Sequence, residues 1–222
     1  MDPAQTDMQP LFQRAAELFQ AGGWVMWPLL AVSVLSVAIT AERAVFWALT
    51  HSPRRRRRLR SIASMIRAGE LAKASGRASA DRSVYGRFLE GLLNQAAKGE
   101  TLTESRARER AEALRGSIER FDTTHATIVT AAPMLGILGT VTGIIESFRL
   151  IGGQQAITDP AQIAGGIAEA LFTTAFGLTV ALATLFPHAL FRAQADACLS
   201  RIETLAAGVL EAAGSGRASG AG

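Results

Sequence analysis

The feature that most constrains this chain is an apolar run over residues 170–190 that contains no Asp, Glu, Lys or Arg. A helix of about 20 residues at 1.5 Å per residue crosses the hydrocarbon of a bilayer, so this run predicts a membrane-spanning helix. One carboxylate, Glu169, directly precedes it. A charged side chain near the bilayer centre costs roughly 2.5–3.5 kcal/mol, less near an edge, and is usually retained for a function. We therefore interpret Glu169 as a functional residue.

A helical wheel at 100° per residue divides this segment into a small polar face and an apolar remainder. Four leucines lie on the apolar side: Leu171, Leu178, Leu182 and Leu185. The pattern is typical of a helix that faces lipid with its leucines and a shared interior with its polar face. Small residues and threonines can also serve helix packing alone, so for every member except Glu169 both pore lining and packing remain open. The polar face contains Glu169, Thr173, Thr174, Gly177, Ala181, Thr184 and His188.

Two further apolar blocks precede this one, and together they predict an all-α integral membrane protein with three transmembrane helices. We place these helices at residues 24–47, 124–146 and 165–191, with long helices extending from them into the cytoplasm. Cys198 is the single cysteine, which excludes an internal disulfide. The sequence contains no evident nucleophile–base pair, metal-ligand cluster or cofactor loop, so we expect no enzyme activity, metal or cofactor. The first twenty residues, with three acids, do not resemble a secretory signal peptide.

The segments between these blocks differ sharply in charge. Residues 53–122 carry 17 of the 23 Lys and Arg residues, so positive charge places the loop 48–123 in the cytoplasm. Residues 1–23, which form an amphipathic pattern typical of an interfacial helix, and the connector 147–164 should face the periplasm. The N-terminus is then periplasmic and the C-terminus cytoplasmic. We interpret the arginines at and just after the cytoplasmic end of the first span as lipid and topology anchors rather than a nucleic-acid site: Arg43, Arg54, Arg55, Arg56, Arg57 and Arg58.

The cytoplasmic segments have helical periodicity. In the loop we expect two or three helices, broken around residues 76–83 and near Gly99. Thr101 and Glu104 have capping-box spacing, which predicts the start of a charged helix. After the third span, residues 192–222 should form a helix to about Glu211 and then a flexible tail.

The second span is rich in small residues on one side. Gly136, Gly139, Thr140 and Gly143 share a face of about 100°. Gly139 and Gly143 have the GxxxG spacing that allows two helix backbones to approach closely. A phosphate loop is disfavoured, because no lysine follows the glycines and no predicted strand precedes them.

Two motif blocks resemble a known family. AAPMLGILGTVTGIIESF at residues 131–148 and AGGIAEALFTTAFGLTVAL at residues 164–182 are similar to the paired signatures of the ExbB/TolQ/MotA proton-channel family. The order of one span, a large cytoplasmic loop and two further spans also resembles the ExbB and TolQ branches. MotA-type subunits have an additional span, which disfavours that branch.

The resemblance implies a bacterial inner-membrane energiser that forms a homopentamer around a dimer of a single-span, ExbD- or TolR-like partner. Protons would titrate an aspartate on the partner, and the resulting motion would drive TonB- or TolA-like proteins. The resemblance assigns Glu169, Thr140 and Thr174 to the proton path, as matches to the family's GIAEA glutamate, GTV threonine and second TT threonine. Thr174 lies about 140° from Glu169 on the wheel, so its role follows from the resemblance rather than from geometry.

The departures from the family pattern bear on the branch. Some relatives have Trp at the position of Thr142 and Pro at that of Gly165, while the DPAQIAGGIAEAL run and the dipeptide Pro187-His188 resemble ExbB more than TolQ. The alternatives are a TolQ-like energiser of the envelope and a membrane scaffold that conducts nothing. A small-solute transporter is disfavoured because no internal repeat is apparent.

Overall fold

The three apolar blocks form three long helices: α1 (Met26–Thr50), α6 (Asp122–Gly152) and α7 (Pro160–Gly220). The computed structural model describes residues 19, 22–98, 100–152 and 160–220. In this part of the chain no strand occurs, and these are the three helices long and apolar enough to cross a membrane. The predicted all-α class with three spans is therefore confirmed. The predicted interfacial helix at residues 1–23 lies, apart from its end, outside the described residues.

Two of the long helices continue past the ends that the sequence predicts. The helix α6 runs into the predicted connector as far as Gly152 and contains Pro133, while α7 joins the third span to the C-terminal helix through Pro187. A proline removes one backbone hydrogen bond, but membrane helices tolerate it because neighbouring groups satisfy the freed carbonyl. The helix α7 also continues to Gly220, beyond the end predicted near Glu211.

The basic loop forms four helices in its described residues, where the sequence predicted two or three. The additional break follows α2, where Gly69 adopts a φ of +74° that only glycine enters easily. Ser83 caps α4 by accepting a hydrogen bond from the amide of Gly86 at 3.3 Å. The cap of α5 is Thr103 rather than the predicted Thr101. The four helices are α2 (Pro53–Arg67), α3 (Leu71–Ser79), α4 (Val84–Ala97) and α5 (Glu104–Ile118).

The chain divides into two compact units, of which the second comprises Glu42–Asp122 and Ala189–Gly222. Its helices bury a continuous apolar core of the kind that stabilises soluble helical domains. The periodic apolar residues of the loop supply much of this core. Its members include Trp47, Ile62, Ile66, Val84, Phe88, Leu89, Leu92, Leu93, Ile118, Cys198, Ile202 and Val209.

The first unit comprises Met1–Ala41 and Thr123–His188 and contains the apolar parts of α1, α6 and α7. Here small residues lie inside, and a Cβ added to Gly177 would lie only 2.5 Å from the carbonyl oxygen of Ala132. Large apolar side chains point outward, which in lipid carries no hydrophobic penalty. The exposed set includes Val34, Val37, Met134, Ile137, Val141, Leu171, Leu178, Leu182 and Phe186. The unit therefore has the interior and surface of a membrane helix bundle.

Candidate functional site

Two threonine hydroxyls meet between α6 and α7 in the first unit. Thr140 Oγ1 and Thr174 Oγ1 are in hydrogen-bond contact, and both lie near the carbonyl oxygen of Gly136, at 3.2 and 2.9 Å. Thr140 Oγ1 is also 3.3 Å from the carbonyl oxygen of Ala170. Each hydroxyl carries one proton and two lone pairs, so the pair can exchange donor and acceptor roles and still accept a hydrogen bond from a third group.

The glycines of α6 allow this contact. A Cβ at Gly136 would lie 3.0 Å from the carbonyl oxygen of Thr173, and one at Gly143 would lie 2.7 Å from the Cβ of Ala170. Because these positions lack a Cβ, Thr173 Oγ1 can donate to either the carbonyl of Gly136 at 3.1 Å or that of Ala170 at 2.7 Å. The glycines on this face of α6 thus position the hydroxyls by bringing the two backbones together.

Glu169 lies on the outside of the unit, where its side chain is exposed. It lines a cavity of about 830 Å³ together with Gly143, Gly166 and Glu146. Glu146 forms an exposed ion pair with Arg149 at 3.6 Å. The carboxylate of Glu169 is therefore accessible to a group beyond this chain.

The remaining polar face of α7 is directed into the unit. Thr173 and Thr184 are 1% and 0% exposed, and Gly177 and Ala181 are also buried. Thr184 Oγ1 forms a 2.6 Å hydrogen bond with Ser36 Oγ on α1. The structure thus separates the predicted face into buried residues that contact α1 and α6 and the more accessible Glu169 and Thr174.

A second polar cluster joins all three helices of the unit. His188, half-buried on α7, stacks in parallel on His125 of α6 with ring centroids 5.7 Å apart. His125 is 1% exposed, and its Nε2 lies 3.3 Å from Thr40 Oγ1 on α1. In the described part of the chain no three His, Cys, Asp or Glu side chains are placed to hold a metal ion.

Three polar residues that bond or stack between the helices of this unit were missed by the sequence analysis: Ser36, Thr40 and His125. A signal was present, since Ser36 and Thr40 are polar residues one helical turn apart in an otherwise apolar block. His125 likewise lies at the start of the second apolar block, in which the next ionisable residue along the chain is Glu146.

The predicted arginine anchors have different surroundings. Arg43 is 3% exposed, and its guanidinium pairs with Glu42 at 2.6 Å and donates to the carbonyls of Ser117 and Ile118 at 3.2 and 3.4 Å. Its contacts are thus with protein groups on α1 and at the end of α5. The five successive arginines begin α2, and all are exposed or half-exposed: Arg54, Arg55, Arg56, Arg57 and Arg58.

Two titratable groups of the second unit, outside the membrane spans, are perturbed. Burial, together with the neighbouring charges of Arg56 and Arg201, lowers the pKa of His51 from its usual 6.5. Burial also raises the pKa of the Tyr85 hydroxyl well above its usual value. Both shifts favour the neutral form, as expected for groups withdrawn from water.

Comparison with known proteins places this geometry in a family. A sequence profile described as the MotA/TolQ/ExbB proton channel family matches residues 79–204, a range that contains the threonine pair and Glu169. The putative biopolymer transport protein ExbB-like 3 of Synechocystis sp. is 39% identical over 178 residues, which cover 78% of this chain and 82% of the relative. Biopolymer transport protein exbB1 of Vibrio cholerae is 29% identical over 84% of this chain and 83% of its own length.

A third relative comes from the other branch. Tol-Pal system protein TolQ of Pseudomonas aeruginosa is 40% identical over 81 residues, which cover 36% of this chain and 35% of the relative. The three apolar helices and these matches point to an inner-membrane protein. They confirm the resemblance seen in the two motif blocks: the chain belongs to the MotA/TolQ/ExbB proton channel family, whose members energise transport rather than catalyse reactions.

Proposed function

We propose that this chain is the channel subunit of an ExbB–ExbD-type inner-membrane motor that uses the proton gradient to energise TonB-dependent uptake across the outer membrane. The observation that carries the proposal is the hydroxyl pair Thr140–Thr174, which is held against the carbonyl of Gly136. The helix α7, which carries Thr174, also presents an exposed Glu169. Hydroxyls with exchangeable hydrogen-bond partners can pass a proton along without becoming charged.

The proposed assembly is a homopentamer around a dimer of a single-span, ExbD-like partner. Thr140 and Thr174 are only half-buried, and Glu169 is exposed, so these polar groups have room for a partner outside the chain. An unpaired carboxylate at membrane depth is costly, which favours burial of Glu169 against such a partner. The proposed topology has spans at residues 24–47, 124–146 and 165–191, a periplasmic N-terminus and a cytoplasmic C-terminus, and rests on the basic loop at residues 48–123.

The proposed mechanism assigns separate roles to the three residues. A carboxyl group on the partner's helix takes a proton from the periplasmic side and then approaches the hydroxyls of Thr140 and Thr174, which donate to it when it is ionised and accept from it when it is protonated. Glu169 controls entry to this path, either by exchanging protons itself or by holding water at the mouth. The coupled protonation and movement would be transmitted to a TonB-like protein.

The test replaces Glu169 by Gln, which keeps the size of the side chain and removes its charge. In a deletion strain under iron limitation, the wild-type chain should restore growth and Glu169→Gln should not, while both are present in the membrane at equal levels. Glu211→Gln, the same substitution at an exposed position of α7, should restore growth fully. Full growth with Glu169→Gln would contradict the assigned role.

The hydroxyls are tested in the same strain. Thr140→Val and Thr174→Val preserve shape and remove the hydroxyl, so each should abolish growth under iron limitation. Thr179→Val is the matched control, because the exposed Thr179 bonds to the carbonyl of Ala175 in its own helix at 2.8 Å.

The second candidate is a TolQ-like energiser of the envelope, favoured by the local 40% identity to the Pseudomonas aeruginosa TolQ protein. A deletion strain that grows normally on scarce iron but becomes sensitive to detergents would favour this role over uptake. A strain in which Glu169→Gln and both threonine variants all behave as wild type would instead indicate a scaffold that conducts no protons.

A further inference from the structure

A small cavity in the second unit is lined mainly by residues with polar side chains. Its volume is about 10 Å³, and three segments surround it: the end of α1 with the start of α2, the start of α4, and the C-terminal part of α7. Three guanidinium groups belong to its walls, those of Arg55 and Arg56 on α2 and of Arg201 on α7. All of its lining residues belong to the second unit, so the cavity lies within one compact body.

A buried tyrosine hydroxyl also lines this cavity. Tyr85 is 4% exposed, and its hydroxyl oxygen is buried without a partner at hydrogen-bond geometry among the described residues. The Cys198 thiol and the Arg201 guanidinium are its polar neighbours, but neither reaches it with that geometry. Since leaving a buried hydroxyl unsatisfied is costly, such a group usually contacts water or a ligand. The hydroxyl of Tyr85 is therefore available to a group that enters the cavity.

The positive charge around the cavity is not neutralised by ion pairs. In the described part of the chain, the ion pairs involve basic residues other than Arg55, Arg56 and Arg201. Asp81 is the one acid among the lining residues, and its Oδ1 accepts a hydrogen bond from the amide of Ser83 at 2.9 Å. The carboxylate of Asp81 is thus engaged at the start of α4, and the three guanidiniums leave the site with an excess of positive charge.

The start of α2 adds to this positive potential. The helix has 15 residues, contains no acid in its first turn, and begins at Ser52 without a side-chain cap. The N-terminus of such a helix carries about half a positive charge and attracts anions. Burial, and next the charges of Arg56 and Arg201, lower the pKa of His51 just before this helix. These two guanidiniums therefore act on the same position, although they are 145 residues apart in sequence.

We propose that this cavity and its three arginines form a binding site for a phosphate group, with one phosphate oxygen inside the cavity. The cavity has the volume of a single water-sized group, so it admits one oxygen atom and the rest of the anion lies among the guanidiniums. The hydroxyl of Tyr85 donates to the inner oxygen, and Arg56 and Arg201 donate to the outer ones. Guanidinium groups suit this role because their fork of N–H donors matches the geometry of phosphate.

The position of the cavity favours an anionic phospholipid as the source of the phosphate. The predicted first span ends at residue 47, and Thr50, which lines the cavity, lies three residues later, or about 5 Å along α1. The headgroup layer extends about 5–7 Å beyond the hydrocarbon on each face of a bilayer. The predicted topology places this end of α1 at the cytoplasmic leaflet, where anionic lipids attract basic segments. A soluble phosphate compound would use the same donors.

The first test counts the lipids bound to the purified full-length chain by native mass spectrometry, with phosphatidylglycerol added in an uncharged detergent. We expect one lipid per chain to bind first. Its half-saturating concentration should rise at least tenfold in Arg201→Gln and at least threefold in Tyr85→Phe, because hydrogen bonds to a charged group are the stronger kind. Arg60→Gln should bind as the wild type does, since Arg60 is an exposed residue of the same helix α2 that does not line the cavity.

Two results of this test would overturn the site. Equal weakening by Arg60→Gln and Arg201→Gln would show that binding depends on the overall charge alone. Wild-type binding in both Arg201→Gln and Tyr85→Phe would show that the cavity takes no part. Tyr85→Phe removes a single oxygen atom from a buried ring, so it also tests the site if Arg201→Gln fails to fold.

The second test distinguishes the two sources with inorganic phosphate, added at constant ionic strength, and with oleate, an anionic lipid without phosphate. If the site binds a phospholipid, millimolar phosphate should leave the binding of phosphatidylglycerol unchanged, because the acyl chains contribute to its affinity. If the site binds a soluble compound, phosphate should displace the lipid and raise the unfolding midpoint of the wild type but not of Arg201→Gln. Either result supports a phosphate site. Oleate that binds as tightly as phosphatidylglycerol, or binding of neither phosphate nor phosphatidylglycerol, would refute it.

Discussion

The close approach of α6 and α7 at Gly177 provides a quantitative test of the bundle. A Cβ at this position would lie 2.5 Å from the carbonyl oxygen of Ala132 and 3.1 Å from the Cα of Gly136. Real Cβ atoms essentially never come within 3.0 Å of another heavy atom, and these neighbours are backbone atoms that cannot rotate away. In Gly177→Ala the two helices must therefore move apart, which also weakens the hydrogen bond from Thr174 to Gly136.

The expected loss of stability follows from two opposing terms. Overpacking of a tight interior typically costs about 1–3 kcal/mol. Alanine is favoured over glycine inside a helix by roughly 0.5–1 kcal/mol, which offsets part of this cost. We expect a net destabilisation of about 1–2 kcal/mol, equivalent to a fall of about 2–8 °C in the unfolding midpoint for a chain of this size.

The assay is thermal unfolding of the purified chain in detergent, followed by the fraction that remains monodisperse. Gly165→Ala is the matched control, because it makes the same change in the same helix and its Cβ would meet no atom within 4 Å. That variant should unfold at the wild-type temperature or slightly above it. Equal midpoints for Gly177→Ala and Gly165→Ala would refute the argument that the small residues are required for close packing.

Three further predictions concern the second unit. Arg43→Gln removes the guanidinium donors to the carbonyls of Ser117 and Ile118 and should lower the free energy of unfolding by about 1–3 kcal/mol. We expect faster tryptic cleavage after Arg120 in this variant and an intermediate rate in Arg43→Lys. An unchanged cleavage rate would contradict this. The folded state lowers the pKa of His51, so the contribution of this residue to stability is present above pH 6.5 and is lost as the pH falls through the folded pKa. His51→Gln should therefore flatten the decline of the unfolding midpoint below pH 6.5. Identical pH curves for the variant and the wild type would contradict this. The pKa of Tyr85 is raised in the folded state, so its contribution to stability is present below the usual pKa of 10.0 and is lost as the pH rises above that value. Between pH 9 and pH 11, Tyr85→Phe should therefore lose less stability than the wild type. An equal loss would contradict this.

The sequence by itself determined the membrane architecture and the family. Length and hydropathy are sufficient to identify a spanning helix, because the bilayer imposes a minimum apolar length whatever the neighbouring helices do. The motif blocks around Thr140 and Glu169 are contiguous in sequence, so their similarity to the family could be recognised without any coordinates. Local turn chemistry was less certain: the cap of the charged helix was placed at Thr101 instead of Thr103, because several threonines lie within reach of the same helix start.

Only the tertiary structure decided which members of the polar face of α7 are buried within the chain and which remain accessible. A helical wheel gives the angles between side chains but not the direction of the neighbouring helix, so it did not show that Thr173 and Thr184 are buried while Thr174 is accessible. Packing against α1 and α6 buries Thr173 and Thr184 completely and leaves Thr174 accessible beside Thr140. The stacking of His125 on His188 depends on packing for the same reason, because the two rings are 63 residues apart in sequence. No local pattern specifies which residues meet when three helices associate.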